Sequence, residues 1–435
     1  MKKTLSILLV LAMVLSLGLG LVSASAEEKT KVVVWTFAAE DQEETSTFAR
    51  LKKWAEDFTA GNDKIEVVVE GSKNAQVLLT ALTGNEGPDI FQNYWNNAPA
   101  WAEKGALLDL TEYVNNAPES WDKADFLDAS WGLCTYNDHI YFIPYTYSSS
   151  FIFYDKDVLK EAGYDEFPKT LDEMIELADK LVVVGEDGKI ERMGILPDVP
   201  WLETVMWPVA FNAPYTSEDG KTITFNDPTM VKAYQWQADI YAKYGYDNVK
   251  NFVESFGNDA QDPLFAGKLV MRWRADSAIP NMIKYGKETG TNVGMAFMPA
   301  AEDGNAYGML TCAVWGVNAH TKNVDATIEV LYSLTGKENM QWLANGQFNN
   351  GTFMPRVSAL NYVIDGEFED MAKECATMLR DGQFRHFPMS SYIGEYLAAI
   401  NTQMTEALAG YITVEEGCQN VVDEIQPIAD AANAQ

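Results

Sequence analysis

At 435 residues, of which 47% are apolar, the chain can bury two or three separate cores. A formal net charge of −31 repels phosphate backbones and anionic lipid, which argues against nucleic acid and membrane surfaces as partners. The acids are spread along the chain instead of gathering in a tail, so the charge reads first as solubility.

The first 26 residues have the anatomy of a secretory signal peptide. Lys2 and Lys3 precede an apolar run from Leu5 to Val22, and Ala24-Ser25-Ala26 supplies a small-residue cleavage site. The run is nearly long enough to span a bilayer, but the small-residue site favours removal over retention as an anchor. Cleavage at Ala26 leaves 409 residues and takes away two lysines and no acid, so the charge falls from −31 to −33. No cysteine lies near the cleavage site, so no lipid anchor is expected there. Cys134, Cys312, Cys375 and Cys418 show no metal-binding spacing. They could form two disulfides in an exported protein or stay as free buried thiols.

In chain order, Lys31–Phe37 is a β-branched and aromatic run that predicts a buried first strand. Asp41 and Glu44 resemble a helix start, and Phe48, Leu51, Trp54, Ala55 and Phe58 then recur at helical spacing, with Gly61 as a stop. Ile65–Glu70 predicts the second strand, Ala75–Leu82 a short helix, and Pro88–Phe91 the opening of a third strand. Strands alternating with helices imply a mostly parallel sheet covered on both faces, with ligands beyond the carboxyl ends of the strands. That rule brings the residues after Trp35, after Gly71 and around Tyr94-Trp95 onto one rim. Farther along, Thr170 and Glu173 form a capping box. The segments 185–189 and 217–221 read as hairpin turns, with glycine taking the positive φ. Helices are expected at roughly 325–335, 337–345, 394–409 and 414–432. No repeat and no flexible linker divides the chain, which fits lobes joined by several crossings.

The inventory of reactive groups points away from catalysis and from a cofactor. Three dispersed histidines, His139, His320 and His386, leave no zinc motif, and there is no nucleophile elbow, phosphate loop or dinucleotide fingerprint. A glycosidase pair among 63 acids stays open, since chance pairs are common. What remains is aromatic residues in polar company. A sugar offers a C–H face for flat rings and a rim of hydroxyls that must be paired again once water leaves. Tyr94-Trp95-Asn96-Asn97 and Arg272-Trp273-Arg274-Ala275-Asp276 each hold both ingredients, whereas Trp54 belongs to a core stripe.

Four sequence blocks resemble the family of extracellular solute-binding proteins that serve sugar ABC importers, typified by the maltose-binding protein. The first runs from Gly84 through Pro88-Asp89 to Gly105-x-Leu107-Leu108-Asp109-Leu110. The second joins Ile143-Pro144-Tyr145, Phe153-Tyr154-Asp155-Lys156-Asp157, Ala162-Gly163 and Pro168–Glu173. The third is Phe265-x-Gly267-Lys268-x-x-Met271, and the fourth Val314–Val317 ahead of a helix. The resemblance implies an α/β, two-lobed periplasmic-binding-protein fold of type II, each lobe a mostly parallel sheet flanked by helices. By analogy, one lobe holds 27–144 and 313–346, the other 148–311 and 347–435, with hinges near 144–147 and 309–313. It also implies a non-catalytic, monomeric, exported protein that closes on a small solute, a sugar first, and hands it to a membrane permease. No metal or other cofactor is implied. The ligand-contacting positions carried over are Phe37, Glu40, Asp41, Asn93, Tyr94, Trp95, Tyr145, Trp201, Trp207, Arg272, Trp273, Asn349, Phe353 and Arg356. The rival readings are a binding protein for a non-sugar solute and a secreted glycoside hydrolase.

Overall fold

The computed structural model describes residues 28–40, 46–84, 86–196, 203–257, 259–347 and 352–434. The signal-peptide segment and the expected helix start at Asp41 and Glu44 lie outside them.

Two five-stranded sheets organise the chain. The strands in order are β1 (Thr30–Trp35), β2 (Ile65–Glu70), β3 (Ile90–Tyr94), β4 (Thr135–Tyr136), β5 (His139–Ile140), β6 (Phe142–Pro144), β7 (Ser150–Asp155), β8 (Val183–Val184), β9 (Ile190–Ile195), β10 (Leu269–Ala275), β11 (Val293–Ala296), β12 (Tyr307–Met309), β13 (Ala313–Val317) and β14 (Gln383–Arg385). The first sheet runs β2-β1-β3-β13-β6 and the second β11-β7-β10-β9-β8. In the first, β1 pairs in parallel with β2 and β3, and only β13 is reversed. Val32 and Val34 of β1 are fully buried, as a strand at the middle of a sheet covered on both faces requires. The second sheet is more mixed than expected. Its one parallel pairing is β9 with β10, because β7 enters from the opposite end and lies antiparallel to β10 and β11.

Local signals explain the elements. The helix Thr47–Gly61 is capped by Ser46, whose side chain accepts from the Ala49 amide, and it buries Phe48, Leu51, Trp54 and Ala55. Thr170 and Glu173 form the expected capping box on the helix Leu171–Lys180. Both expected hairpins form: β8 pairs with β9 across Gly188 (φ 78°), and Thr216 pairs with Ile223 across Gly220 (φ 70°). The late helices occupy Val324–Leu334, Lys337–Gln347, Ile393–Leu408 and Val414–Asn433. Two more, Val357–Asp365 and Asp370–Asp381, lie between them and are not among the helices expected from sequence.

The chain passes between the sheets three times. It leaves β6 at Pro144 and enters β7 at Ser150, returns from β12 to β13 through Leu310–Cys312, and crosses again near Phe353. The passages are hydrogen-bonded to one another. Tyr145 and Thr146 amides donate to the Ala313 carbonyl (2.9 and 3.1 Å), Tyr147 N–H to the Phe353 carbonyl (2.8 Å), and Ser148 and Thr311 exchange amide bonds (3.0 and 2.9 Å). One apolar core runs through this junction, from Phe91, Trp95 and Phe142 by way of Tyr147 to Phe151, Ile152 and Phe153. A second lies under the first sheet around Val32, Ile143 and Trp315. All four cysteines are buried free thiols.

Candidate functional site

Strand direction brings carboxyl ends of strands from both sheets to the connecting passages. β13 is antiparallel to both β3 and β6, so β3 and β6 point the same way, as do β1 and β2. The carboxyl end of β6 is where the chain departs for the second sheet, so Trp35, Gly71 and Tyr94 lie on that side too. In the second sheet, Ala275 at the end of β10 pairs with Ser150 at the start of β7, so β10 also ends at the junction. Both rims therefore border the passages, where the carboxyl-end rule expects a ligand.

The first rim is rigid and polar. Gln92 Oε1 accepts from the Thr36 hydroxyl (2.6 Å) and the Phe37 amide (3.1 Å), fixing the loop after β1 to the middle of β3. Glu40 accepts from the Gly71 amide (3.0 Å), and its own amide donates to Ser72 Oγ (3.2 Å). Gly71 is needed there: a Cβ would stand 2.7 Å from the Ala38 carbonyl oxygen. Phe37 and Tyr94 pack with ring centroids 5.3 Å apart, and Tyr94 is 51% exposed in a fold that buries most of its large rings. Asn93 is fully buried; its Oδ1 accepts from the Tyr94 amide and Asn97 Nδ2, both at 2.8 Å. Asn93 Nδ2 and Trp35 Nε1 are buried donors with no hydrogen-bond partner among the described residues. Lys73 lies over the Trp35 ring at 4.5 Å and pairs with Glu70 at 3.1 Å. Trp95 opens a short 3-10 turn beside Tyr94 and is nearly buried, its amide donating to the Cys312 carbonyl (3.4 Å).

The second rim places its aromatics deeper. Trp207 and Trp273 are buried and meet edge to face at 4.3 Å, and Trp236 closes the cluster at 4.4 Å from Trp207. Trp273 thus packs against indoles in the core. Arg272 forms a largely buried ion pair with Asp262. Burial pushes the Arg272 guanidinium down and Asp262 holds it up, so it stays charged.

Three expected contact residues sit at the passages. Tyr145 is buried against Trp315 (4.9 Å), and Phe353 is buried at the third crossing. Arg356 differs most from expectation. It is fully buried, with Nε and Nη2 donating to the Thr335 carbonyl (3.0 and 2.7 Å), Nη2 to Trp121 O (2.9 Å), Nη1 to Asp122 O (3.0 Å), and an ion pair to Asp125 (3.3 Å). Its guanidinium also lies 3.8 Å from the Phe126 ring centroid. It knits the third passage to the first lobe. Asp41, Trp201 and Asn349 lie outside the described residues. The structure thus unites Phe37, Glu40, Asn93, Tyr94 and Trp95 on one rim. It adds Thr36, Ser72 and Lys73, which the carboxyl-end rule could have supplied, since all three follow β1 or β2, and Gln92, which lies in the middle of β3 and which that rule does not reach.

Similar proteins agree with this architecture. A mannobiose-bound structure of CpMnBP1 superposes with a TM-score of 0.72 at 19% identity, covering 91% of this chain and 99% of that one. The sugar-binding protein MalE from Xanthomonas citri superposes at 0.74 with 18% identity, covering 93% and 98%. Among curated relatives, the diacetylchitobiose binding protein DasA of Streptomyces coelicolor is 28% identical over 160 residues, 36% of each chain. The sn-glycerol-3-phosphate-binding periplasmic protein UgpB of Brucella abortus is 25% identical over 241 residues, 52% of this chain and 51% of that one. The chain thus spans between a third and a half of the length of these curated relatives. The sequence model for bacterial extracellular solute-binding proteins matches residues 41–345, most of the chain, and the protein belongs to that family.

Proposed function

We propose that the chain is the exported substrate-binding subunit of an ABC importer, which captures a carbohydrate between the two rims and delivers it unaltered to a membrane permease. The observation that carries this is that strands of both sheets end at hydrogen-bonded passages between them. On the first rim, the half-exposed Tyr94 ring backed by Phe37 offers a flat face for sugar C–H groups. The unpartnered N–H groups of Trp35 and Asn93 suit hydroxyl oxygens, and the Glu40 carboxylate suits hydroxyl protons. The lobes would be 27–144 with 313–346 and 148–311 with 347–435, bending at 144–147 and 309–313. Closing them buries the ligand and makes the surface that a permease distinguishes from the open form. Periplasmic binding proteins are a standing example of such hinge closure. Residues 1–26 would be removed on export, leaving a monomer that works outside the cytoplasm.

A second reading has one observation behind it, the longer match to glycerol-3-phosphate-binding relatives. A phosphate needs cations free to bind it. Lys73 and Arg272 are already engaged by Glu70 and Asp262, which favours an uncharged ligand, and Arg274 is the cation that a phosphate would require.

Titrating the protein with manno-, chito- and malto-oligosaccharides and with sn-glycerol 3-phosphate, read by tryptophan fluorescence, separates the two. One oligosaccharide series is expected to bind at micromolar Kd or tighter, about −8 kcal/mol. Tyr94→Ala should weaken it about tenfold or more, about 1.4 kcal/mol. Saturation by glycerol 3-phosphate alone would transfer the assignment to the second reading.

A further inference from the structure

Asp276 follows β10, whose end pairs with Ser150 beside the first passage, and is 1% exposed. Its amide donates to the Ser149 carbonyl (3.0 Å). Its Oδ1 accepts from the Ser148 hydroxyl (2.5 Å) and from the Ser277 amide (2.9 Å). Its Oδ2 is equally buried and has no hydrogen-bond partner among the described residues. Ser148, in turn, is bonded in both directions to Thr311 of the second passage. One side chain and one amide of the second lobe thus hold the first passage, and through it the second.

We propose that Asp276 is a positioning residue for ligand capture: in its neutral form it locks Ser148 and Ser149 to the second lobe and so confines hinge bending to Tyr145–Tyr147 and Cys312–Ala313, and ionisation of the carboxyl loosens that lock. The proposal rests on the reading of the cleft as the ligand site. Its chemistry follows from the unequal oxygens. Both donors reach Oδ1, so the charge on a carboxylate would be shared by an Oδ2 with nothing to solvate it. Burial is the main influence on this group and pushes its pKa up to about 8, against the opposing pull of the Ser148 and Ser277 hydrogen bonds and its own amide. No ionised side chain figures among these influences. The titratable groups turned towards it come from the helix Asp370–Asp381: the buried Cys375 thiol, which burial first and then Asp276 and Glu374 push up, with Glu374 next to it in sequence. From the passages, the facing groups are the Ser148 hydroxyl and, one residue on, Tyr147, which burial and Cys312 push up. Neither thiol nor phenol offers a compensating positive charge. A looser junction leaves more order to be imposed on closing, which weakens apparent affinity.

Hydrogen–deuterium exchange on the ligand-free mature chain at pH 6 and pH 9.5, corrected for the intrinsic rates, tests this. In the wild type, amide protection in 145–149 and 309–313 is expected to fall at least tenfold at the higher pH. Asp276→Asn keeps the acceptor for Ser148 but has no proton to lose, and should hold its protection across the range. Ser148→Ala should be less protected already at pH 6. Equal wild-type protection at both pH values would overturn the proposal, and that comparison needs no variant to fold. A fall in Asp276→Asn matching the wild type, or full protection in Ser148→Ala at pH 6, would also overturn it. No ligand takes part, so failure here leaves the carbohydrate assignment standing, and failure of the sugar titrations leaves this result standing.

Discussion

Replacing Arg356 by alanine is expected to lower the free energy of unfolding by about 3–5 kcal/mol, the range for removing one partner of a buried, fully hydrogen-bonded ion pair. The guanidinium serves three backbone carbonyls from two distant parts of the first lobe, Trp121, Asp122 and Thr335, and all three would be left with a donor fewer. Asp125 would lose its ion pair and keep only the amide and hydroxyl of Ser358. The stacked Phe126 face would open onto a hole. Lysine restores the charge but not the planar fork, so Arg356→Lys should recover less than half of the loss. Urea midpoints of the three proteins check this, and an alanine variant within about 0.5 kcal/mol of wild type would show that the network stabilises nothing.

The second large effect depends on pH. In the unfolded chain Asp276 has the ordinary carboxylate value of 3.8, and burial in the folded chain pushes it up to about 8. Between these values the unfolded chain is ionised while the folded chain must take up a proton, so this group makes the wild type lose stability as pH rises. The loss is about 1.4 kcal/mol per pH unit and levels off above about pH 8. Asp276→Asn resembles the neutral acid and does not titrate. Its stability relative to wild type should therefore climb with pH, by up to about 4 kcal/mol between pH 4 and pH 7. Unfolding in urea at pH 5, 7 and 9 measures the trend, and a constant difference would contradict it.

The first lobe was the legible half. Val32, Val34, Val67 and Ile90 make short buried strands by composition, and the carboxyl-end rule then locates the rim holding Phe37, Glu40, Asn93, Tyr94 and Trp95. Thr170 and Glu173 announced their helix because a capping box is a local device. Trp273 shows where such reading stops. Its neighbours Arg272 and Arg274 look like polar company, but side chains alternate along a strand, so the arginines share one face and the indole turns to the other, against Trp207. Arg356 was illegible for a different reason: its acceptors lie about twenty and more than two hundred residues away in sequence, and no local pattern encodes carbonyls awaiting a donor. The unpaired Oδ2 of Asp276 is likewise a property of the assembled junction, created when β10 and the first passage meet.

Native mass spectrometry of the mature protein, incubated with a mixture of oligosaccharides and then stripped of ligand, tests the capture of an unaltered carbohydrate most directly. A one-to-one adduct with one sugar series is expected, whose released ligand has the mass it had on addition. Release of shortened sugars, or adducts with a non-carbohydrate solute and none with any sugar, would contradict it.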